Sequence, residues 1–217
     1  MAELTITDWL RGAGVPLRFQ DCRLEGYDCP PGSHTALAAA KKLVGSGDND
    51  DRGLLLTGSP GTGKTHLAVG VLAGRLDAWL TVFPAPWREI ESADGSNRVT
   101  SRPDLSLRFV VVPSLLDELR RAINFRDSFD PLPGLVEADL VVLDDLGREK
   151  VTDWATERLY VLVNERYNRR RPTIVTTNYS PDELANRGYD ALVSRLVEGA
   201  TVVRMTGKDH RSLQAVR

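Results

Sequence analysis

The stretch Gly58-Ser59-Pro60-Gly61-Thr62-Gly63-Lys64-Thr65 sets glycines, a lysine and a hydroxyl residue at the spacing G-x-x-x-x-G-K-[ST]. Three glycines and Pro60 let the backbone curl around an anion, with successive N–H groups and the positive end of a following helix aimed at it. Lys64 is then expected to reach the β- and γ-phosphates of a nucleotide, and the Thr65 hydroxyl to take a place on Mg²⁺. About 80 residues on, Asp139-Leu140-Val141-Val142-Leu143-Asp144-Asp145 delivers two carboxylates at the end of an apolar run. Asp144 is expected to hold Mg²⁺, directly or through water, and Asp145 to orient and polarise an attacking water. Asn178 follows Thr173-Ile174-Val175-Thr176-Thr177 and can bond both a γ-phosphate and that water. Each has a plainer reading, as a glycine-rich turn, a strand-ending acid or a turn asparagine. Their common placement at strand ends, where open parallel sheets bind ligands, favours the chemistry.

Such a site needs a strand before the loop and a helix after it. Gly53-Leu54-Leu55-Leu56-Thr57 reads as a strand covered on both faces, and His66 to Leu72 carries apolar residues at helical spacing. Further strands are read at 109–112, 140–143, 173–177 and 201–205, alternating with helices, which indicates a doubly wound α/β sheet. Helices are expected from His34 to Val44 behind a Ser33 cap, from Ser114, from Val151 to Arg171 as the longest, after Ser180-Pro181, and through Ala191 to Val197. Phe129 to Pro133 reads as a turn. Residues 1–33 form a lead-in beginning with a short helix at Thr7-Asp8-Trp9-Leu10, and 34–217 the nucleotide domain. Residues 84–107 have no sustained period and read as a surface insertion with room for a hairpin.

With 217 residues, 41% of them hydrophobic, the chain can bury the core of one α/β domain. A net charge of -2 advertises no nucleic-acid partner, so contact with DNA would rest on local basic groups. Candidates are Trp87, Arg88, Arg98 and Arg102 in the insertion, Arg120, Arg121 and Arg126, and Arg169-Arg170-Arg171, which also reads as a basic helix end stopped by Pro172. Cys22 and Cys29 suit free thiols better than a disulfide framework or, with His34, a zinc site. No signal segment or membrane span is read, and a soluble, cytoplasmic protein is expected.

The combination of Val15-Pro16-Leu17-Arg18-Phe19, Gly61 to Ala68, Leu143-Asp144-Asp145-Leu146-Gly147, Thr176-Thr177-Asn178, Ser194-Arg195-Leu196 and Gly207-Lys208-Asp209-His210-Arg211 resembles the DnaC/DnaI helicase loaders and IstB transposition helpers, which are AAA+ ATPases. The likeness runs from about residue 15 to the end. It implies a five-stranded parallel sheet of order 5-1-4-3-2 and ATP hydrolysis with Mg²⁺. It also implies assembly with ATP into a ring or spiral that acts on a replicative helicase or transposase, with single-stranded DNA as a further ligand. By the same resemblance Gly58 to Thr65 become Walker A, Asp144 and Asp145 Walker B, Asn178 sensor 1, Arg195 an arginine finger completing a neighbour's site, and Arg211 a second phosphate sensor. Three departures stand out. Asp145 is one methylene shorter than the glutamate most AAA+ proteins carry, which suits slow hydrolysis. No substantial lid domain is expected after Arg211, and fewer than 60 residues of this sequence precede the phosphate loop, where loaders usually carry a helicase-gripping domain. The motifs alone leave open a small-molecule kinase, although no acceptor pocket or basic lid is legible, and an ATP switch that scaffolds without hydrolysis.

Overall fold

The computed structural model describes residues 5–45, 53–83, 87–91, 97–101, 105–125, 130–207 and 209. Five strands form one parallel sheet: β1 (Gly53–Gly58), β4 (Leu107–Val111), β5 (Leu140–Leu146), β6 (Thr173–Thr177) and β7 (Ala200–Met205). Their spatial order is β4-β5-β6-β1-β7, which is the expected 5-1-4-3-2 read from the other edge. Side chains alternate across each strand, so β1 sends Leu54 and Leu56 to one face and Leu55 to the other. Both faces are covered, which is why Leu54 to Leu56 of β1 and Leu140 to Leu143 of β5 read as unbroken apolar runs and why β6 is buried along its whole length.

On the Leu54/Leu56 face lie α1 (Ile6–Gly12), α2 (His34–Gly45) and α3 (Lys64–Val82), contributing Leu10, Ala36, Ala40, Leu67, Val71 and Leu76. On the Leu55 face lie α4 (Val112–Phe125), α5 (Leu132–Glu137), α6 (Asp153–Asn168) and α8 (Asp190–Gly199), contributing Leu116, Leu135, Leu159, Leu162, Leu192 and Leu196. Each such buried leucine contributes about 1.5–3 kcal/mol relative to exposure. Leu10, Val15 and Leu24 of the lead-in belong to the first of these clusters, so that segment packs into the nucleotide core.

Several helix ends follow sequence chemistry. Thr152 caps α6 by accepting the Ala155 N–H at 3.2 Å, and Ser180 with Glu183 forms a capping box on α7 (Pro181–Leu184). Thr5 and Asp8 do the same for α1. Other expectations are corrected. The longest described helix is α3, with 19 residues against 16 in α6, because α6 stops where Arg170 turns left-handed at φ 54°. Val112 begins α4 rather than ending a strand, and Ser114 lies inside that helix. The stretch read as a turn at 129–133 contains the start of α5, since proline is tolerated in a first helical turn. The buried Ser33 hydroxyl makes no capping bond to α2. Of the 84–107 stretch, β2 (Trp87–Glu91) and β3 (Asn97–Ser101) pair antiparallel; Arg102 and Arg126 lie outside the described residues.

Arg166 was not singled out by sequence, yet it is fully buried between α5 and β6. It donates to the carbonyls of Leu135, Val136, Ala138 and Pro172 and to Thr173 Oγ1. Burial pulls its pKa down to about 9, which leaves the guanidinium charged at neutral pH. Arg169 and Arg171 pair with Glu137, and Arg171 with Asp139 at 3.1 Å, as a basic helix end does. Arg120 pairs with Asp117 and lies over the Trp154 ring.

Candidate functional site

β1 ends at Gly58 and α3 begins at Lys64, so the intervening loop crosses the carboxyl end of the sheet. Gly63 takes φ 92° as the N-cap of α3, and a Cβ there would come within 2.7 Å of the Tyr27 hydroxyl oxygen. Only glycine suits both constraints. The Tyr27 hydroxyl donates to the Thr62 carbonyl at 3.2 Å, its ring meets His66 edge-on, and His66 Nε2 lies 3.0 Å from the Arg23 carbonyl. The lead-in therefore braces the loop from one side. Thr62 Oγ1 ties the loop to the Ser59 carbonyl at 2.9 Å.

Lys64 is buried, and its Nζ donates to the carbonyls of Gly58 (2.7 Å) and Ser59 (2.8 Å). Its ammonium thus fastens the loop onto itself and keeps its charge there. The Asp209 carboxylate lies against Gly61, where a Cβ would come within 1.7 Å of Oδ1.

Parallel pairing of β5 with β6, and of β6 with β1, brings the three strand ends together. Thr65 Oγ1 donates to Asp144 Oδ1 at 2.9 Å, and Thr176 Oγ1 donates to the same oxygen at 2.7 Å. Burial pushes the Asp144 carboxyl above its ordinary value, while the hydrogen bonds from Thr176 and Thr65 oppose that rise. Asp145 takes φ 61°, where the β5–β6 register shifts between Leu143 and Leu146. Its N–H donates to Thr176 Oγ1 at 3.0 Å, and its carboxylate meets the exposed Arg148 at 3.4 Å. Asn178 is exposed directly beyond β6, between the phosphate loop on the β1 side and the acidic end of β5.

Arg195 stands apart from this group. Its Nε donates to Asn164 Oδ1 at 3.2 Å, and its guanidinium lies 5.4 Å from the Tyr167 ring centroid. A cavity of about 400 Å³ opens there, bordered by Tyr167, Arg170, Arg171, Arg195 and Glu198 and floored by Thr173 and Ala200. Thr173 and Ala200 begin β6 and β7, so Arg195 lies toward the sheet end opposite the phosphate loop, roughly 17 Å away along five strand residues. Within one chain it does not meet Lys64 or Asp144. Arg211 lies outside the described residues. Cys22 and Cys29 are free thiols, with Cys29 Sγ 3.4 Å from His34 Nδ1.

The sequence names Thr176 only as part of Thr176-Thr177-Asn178 and gives it no role of its own, whereas its hydroxyl joins Asp144 to Asp145. The signal was present in the register of two strands, which a linear reading does not expose. No helix among the described residues is long and apolar enough to cross a membrane.

The arrangement can cradle an anion on the loop and present hydroxyl, carboxylate and amide groups beside it. An octahedral Mg²⁺ with oxygens at about 2.1 Å sets neighbouring ligands about 3 Å apart. Thr65 Oγ1 and Asp144 Oδ1 already stand at that separation, so the donor set fits Mg²⁺.

The chain is 23% identical over 210 residues to the replicative helicase loader DnaC of Escherichia coli (strain K12), spanning 91% of this chain and 76% of that one. It is 30% identical over 188 residues to a putative insertion sequence ATP-binding protein of Sinorhizobium fredii, spanning 83% of this chain and 52% of that one. The crystal structure of the DnaC helicase loader superposes with a TM-score of 0.67 at 24% identity, over 88% of this chain and 100% of that one. The fold is thus that of an AAA+ core, with no lid domain evident among the described residues. The profile of the IstB-like ATP binding protein family matches residues 93–216, and the chain belongs to that family, within the AAA+ group that holds the DnaC/DnaI loaders and the insertion-sequence ATP-binding proteins.

Proposed function

We propose that this protein is an ATP-hydrolysing assembly factor that remodels a DNA-bound protein ring, of the helicase-loader kind. The observation that carries the ATPase reading is the Thr65–Asp144 hydrogen bond at 2.9 Å, with Asp145 next along β5 and Asn178 just beyond the adjacent strand β6. Gly58 to Thr65 hold the phosphates through backbone N–H groups, and Lys64 turns from the loop carbonyls to the β- and γ-oxygens. Thr65 and Asp144 would hold Mg²⁺, which would supply charge neutralisation at the transferring phosphoryl group. Asp145 accepts a hydrogen bond from the attacking water, and Asn178 donates to the γ-phosphate while orienting that water. Arg195, remote from its own loop, acts in trans on a second copy's γ-phosphate, so the active unit is a homo-oligomer with ATP. Arg211 is assigned as a further phosphate contact, and single-stranded DNA as a ligand of the assembly.

Support for a helicase partner over a transposase is the extent of the match: 76% of DnaC against 52% of the insertion-sequence relative. The matching family profile and the higher identity of that second relative support a transposition helper instead. Phosphate release from Mg²⁺–ATP, measured alone, with single-stranded DNA, with a replicative helicase and with an insertion-sequence transposase, separates them. Stimulation by the helicase supports the loader, and stimulation by the transposase alone supports the helper. Absence of any turnover overturns the ATPase reading.

A further inference from the structure

The strained end of β5 is held by groups that the hydrolytic scheme above does not use. Asp145 adopts φ 61° and Gly147 φ 87°, and a non-glycine residue in the left-handed region costs roughly 1–2 kcal/mol. Such conformations persist only where the surroundings over-determine them. Here both polar groups of the Gly147 backbone are engaged by side chains. Its N–H donates to the buried Glu149 carboxylate, at 3.2 Å to Oε1 and 3.1 Å to Oε2, and its carbonyl accepts from Arg187 at 3.2 Å. The Tyr189 hydroxyl, fully buried, donates to Glu149 Oε1. Burial and the adjacent carboxylate both push the Tyr189 phenol above its ordinary pKa, so it keeps the proton it donates. Arg187 in turn stacks over the Tyr179 ring at 4.4 Å, next in sequence to Asn178. Tyr179 and Leu184 fill the space where a Gly147 Cβ would sit, each within 2.9 Å of it. Arg187 and Tyr189 belong to the wide π-type turn Ala185–Tyr189, which leads directly into α8 and Arg195.

We propose that Glu149 and Tyr189 are a positioning pair for hydrolysis, gripping the backbone at Gly147 and thereby keeping Asp145 in the left-handed conformation that places its carboxylate at the mouth of the site. A buried carboxylate spent wholly on one backbone amide and one phenol contributes little net stability, because its desolvation offsets most of its bonds. What it does supply is a fixed backbone two residues beyond Asp145. The inference rests on the ATPase reading.

The test compares Tyr189→Phe, Glu149→Gln and Glu149→Ala by ATP affinity, KM, kcat and melting temperature. Tyr189→Phe keeps the ring and removes the donor. It is expected to leave ATP affinity and KM within about twofold while lowering kcat about ten- to a hundredfold, the scale of a displaced catalytic group. Glu149→Gln still accepts from Gly147 and Tyr189 and is expected to retain most of the kcat that Glu149→Ala loses. Faster hydrogen exchange at the Gly147 amide in Tyr189→Phe accompanies that loss. An unchanged kcat in folded Tyr189→Phe, with only a lower melting temperature, overturns the inference and leaves the ATPase reading intact. Wild-type protein that binds ATP without turnover removes both. Should Glu149→Ala fail to fold, Tyr189→Phe decides.

Discussion

The Thr176 hydroxyl donates to Asp144 Oδ1 at 2.7 Å and, through the same oxygen, accepts the N–H of Asp145 at 3.0 Å. One side chain on β6 thus sets the relation between the two acids that end β5. Thr176→Val keeps the shape and removes both bonds. It is expected to lower stability by about 1–3 kcal/mol and to raise the Mg²⁺ concentration that half-saturates turnover. Denaturant titration and a Mg²⁺ titration of phosphate release check these two effects, and an unchanged Mg²⁺ requirement would show that Thr176 acts on the fold alone.

Lys64 ties the carbonyls of Gly58 and Ser59, and in the proposed ATPase it also brings its positive charge to the phosphates. Lys64→Ala should weaken ATP binding by about 10- to 100-fold, the equivalent of losing one charge-assisted hydrogen bond. Because two carbonyls lose their partner, the melting temperature should also fall, unlike the outcome for a lysine free in solvent. Calorimetric ATP titration and thermal melting measure both.

Asp144 and Asp145 should separate by phenotype. Asp145→Asn keeps the backbone bond to Thr176 and is expected to bind ATP within about threefold of wild type while hydrolysis falls at least tenfold. Asp144→Asn should shift the Mg²⁺ dependence as well. Equal loss of nucleotide affinity in both variants would make Asp145 a turn residue without a role in hydrolysis.

Arg195 bonds the neutral Asn164 and faces a surface cavity rather than its own phosphate loop. Turnover per subunit should rise with protein concentration. Arg195→Ala should bind ATP normally yet lose roughly 10³-fold in rate, the lower end of what an arginine in trans supplies. Mixing it with Asp145→Asn should restore some activity, since one interface then pairs an intact Asp145 with an intact Arg195. Concentration-independent turnover and no rescue on mixing would refute a shared site.

Arg166 predicts a purely structural effect. Arg166→Met leaves the carbonyls it serves without a donor and should cost about 3–5 kcal/mol, with nucleotide affinity unchanged in protein that remains folded. The pKa of about 9 is lowered from the ordinary value, so below it both folded and unfolded chains hold the proton. The loss of stability should therefore be the same from about pH 6 to pH 8; only above about 9, where the folded chain releases the proton first, does this group's contribution to stability rise with pH. Urea denaturation across that range measures it.

The glycine-rich loop between β1 and α3, the five strands and the acidic end of β5 were legible in the linear sequence because their signals are local. Spacing in Gly58 to Thr65, apolar runs such as Leu54-Leu55-Leu56, and Asp144-Asp145 directly after Leu143 need no knowledge of neighbours. The helix start at Ser180-Pro181 was legible for the same reason. What depended on distant pairing was decided by the tertiary structure. Strand register set Thr176 against Asp144, and the packing of α5 on α6 buried Arg166 among carbonyls that no sequence window contains. The loop's own curvature turned Lys64 onto Gly58 and Ser59. Arg195 shows the division most plainly: its helix was readable from Ala191 to Val197, but its distance from its own phosphate loop follows from the antiparallel return of α8 toward the start of β7. A chain records which residues are adjacent along it, whereas hydrogen bonds and burial depend on which are adjacent across it.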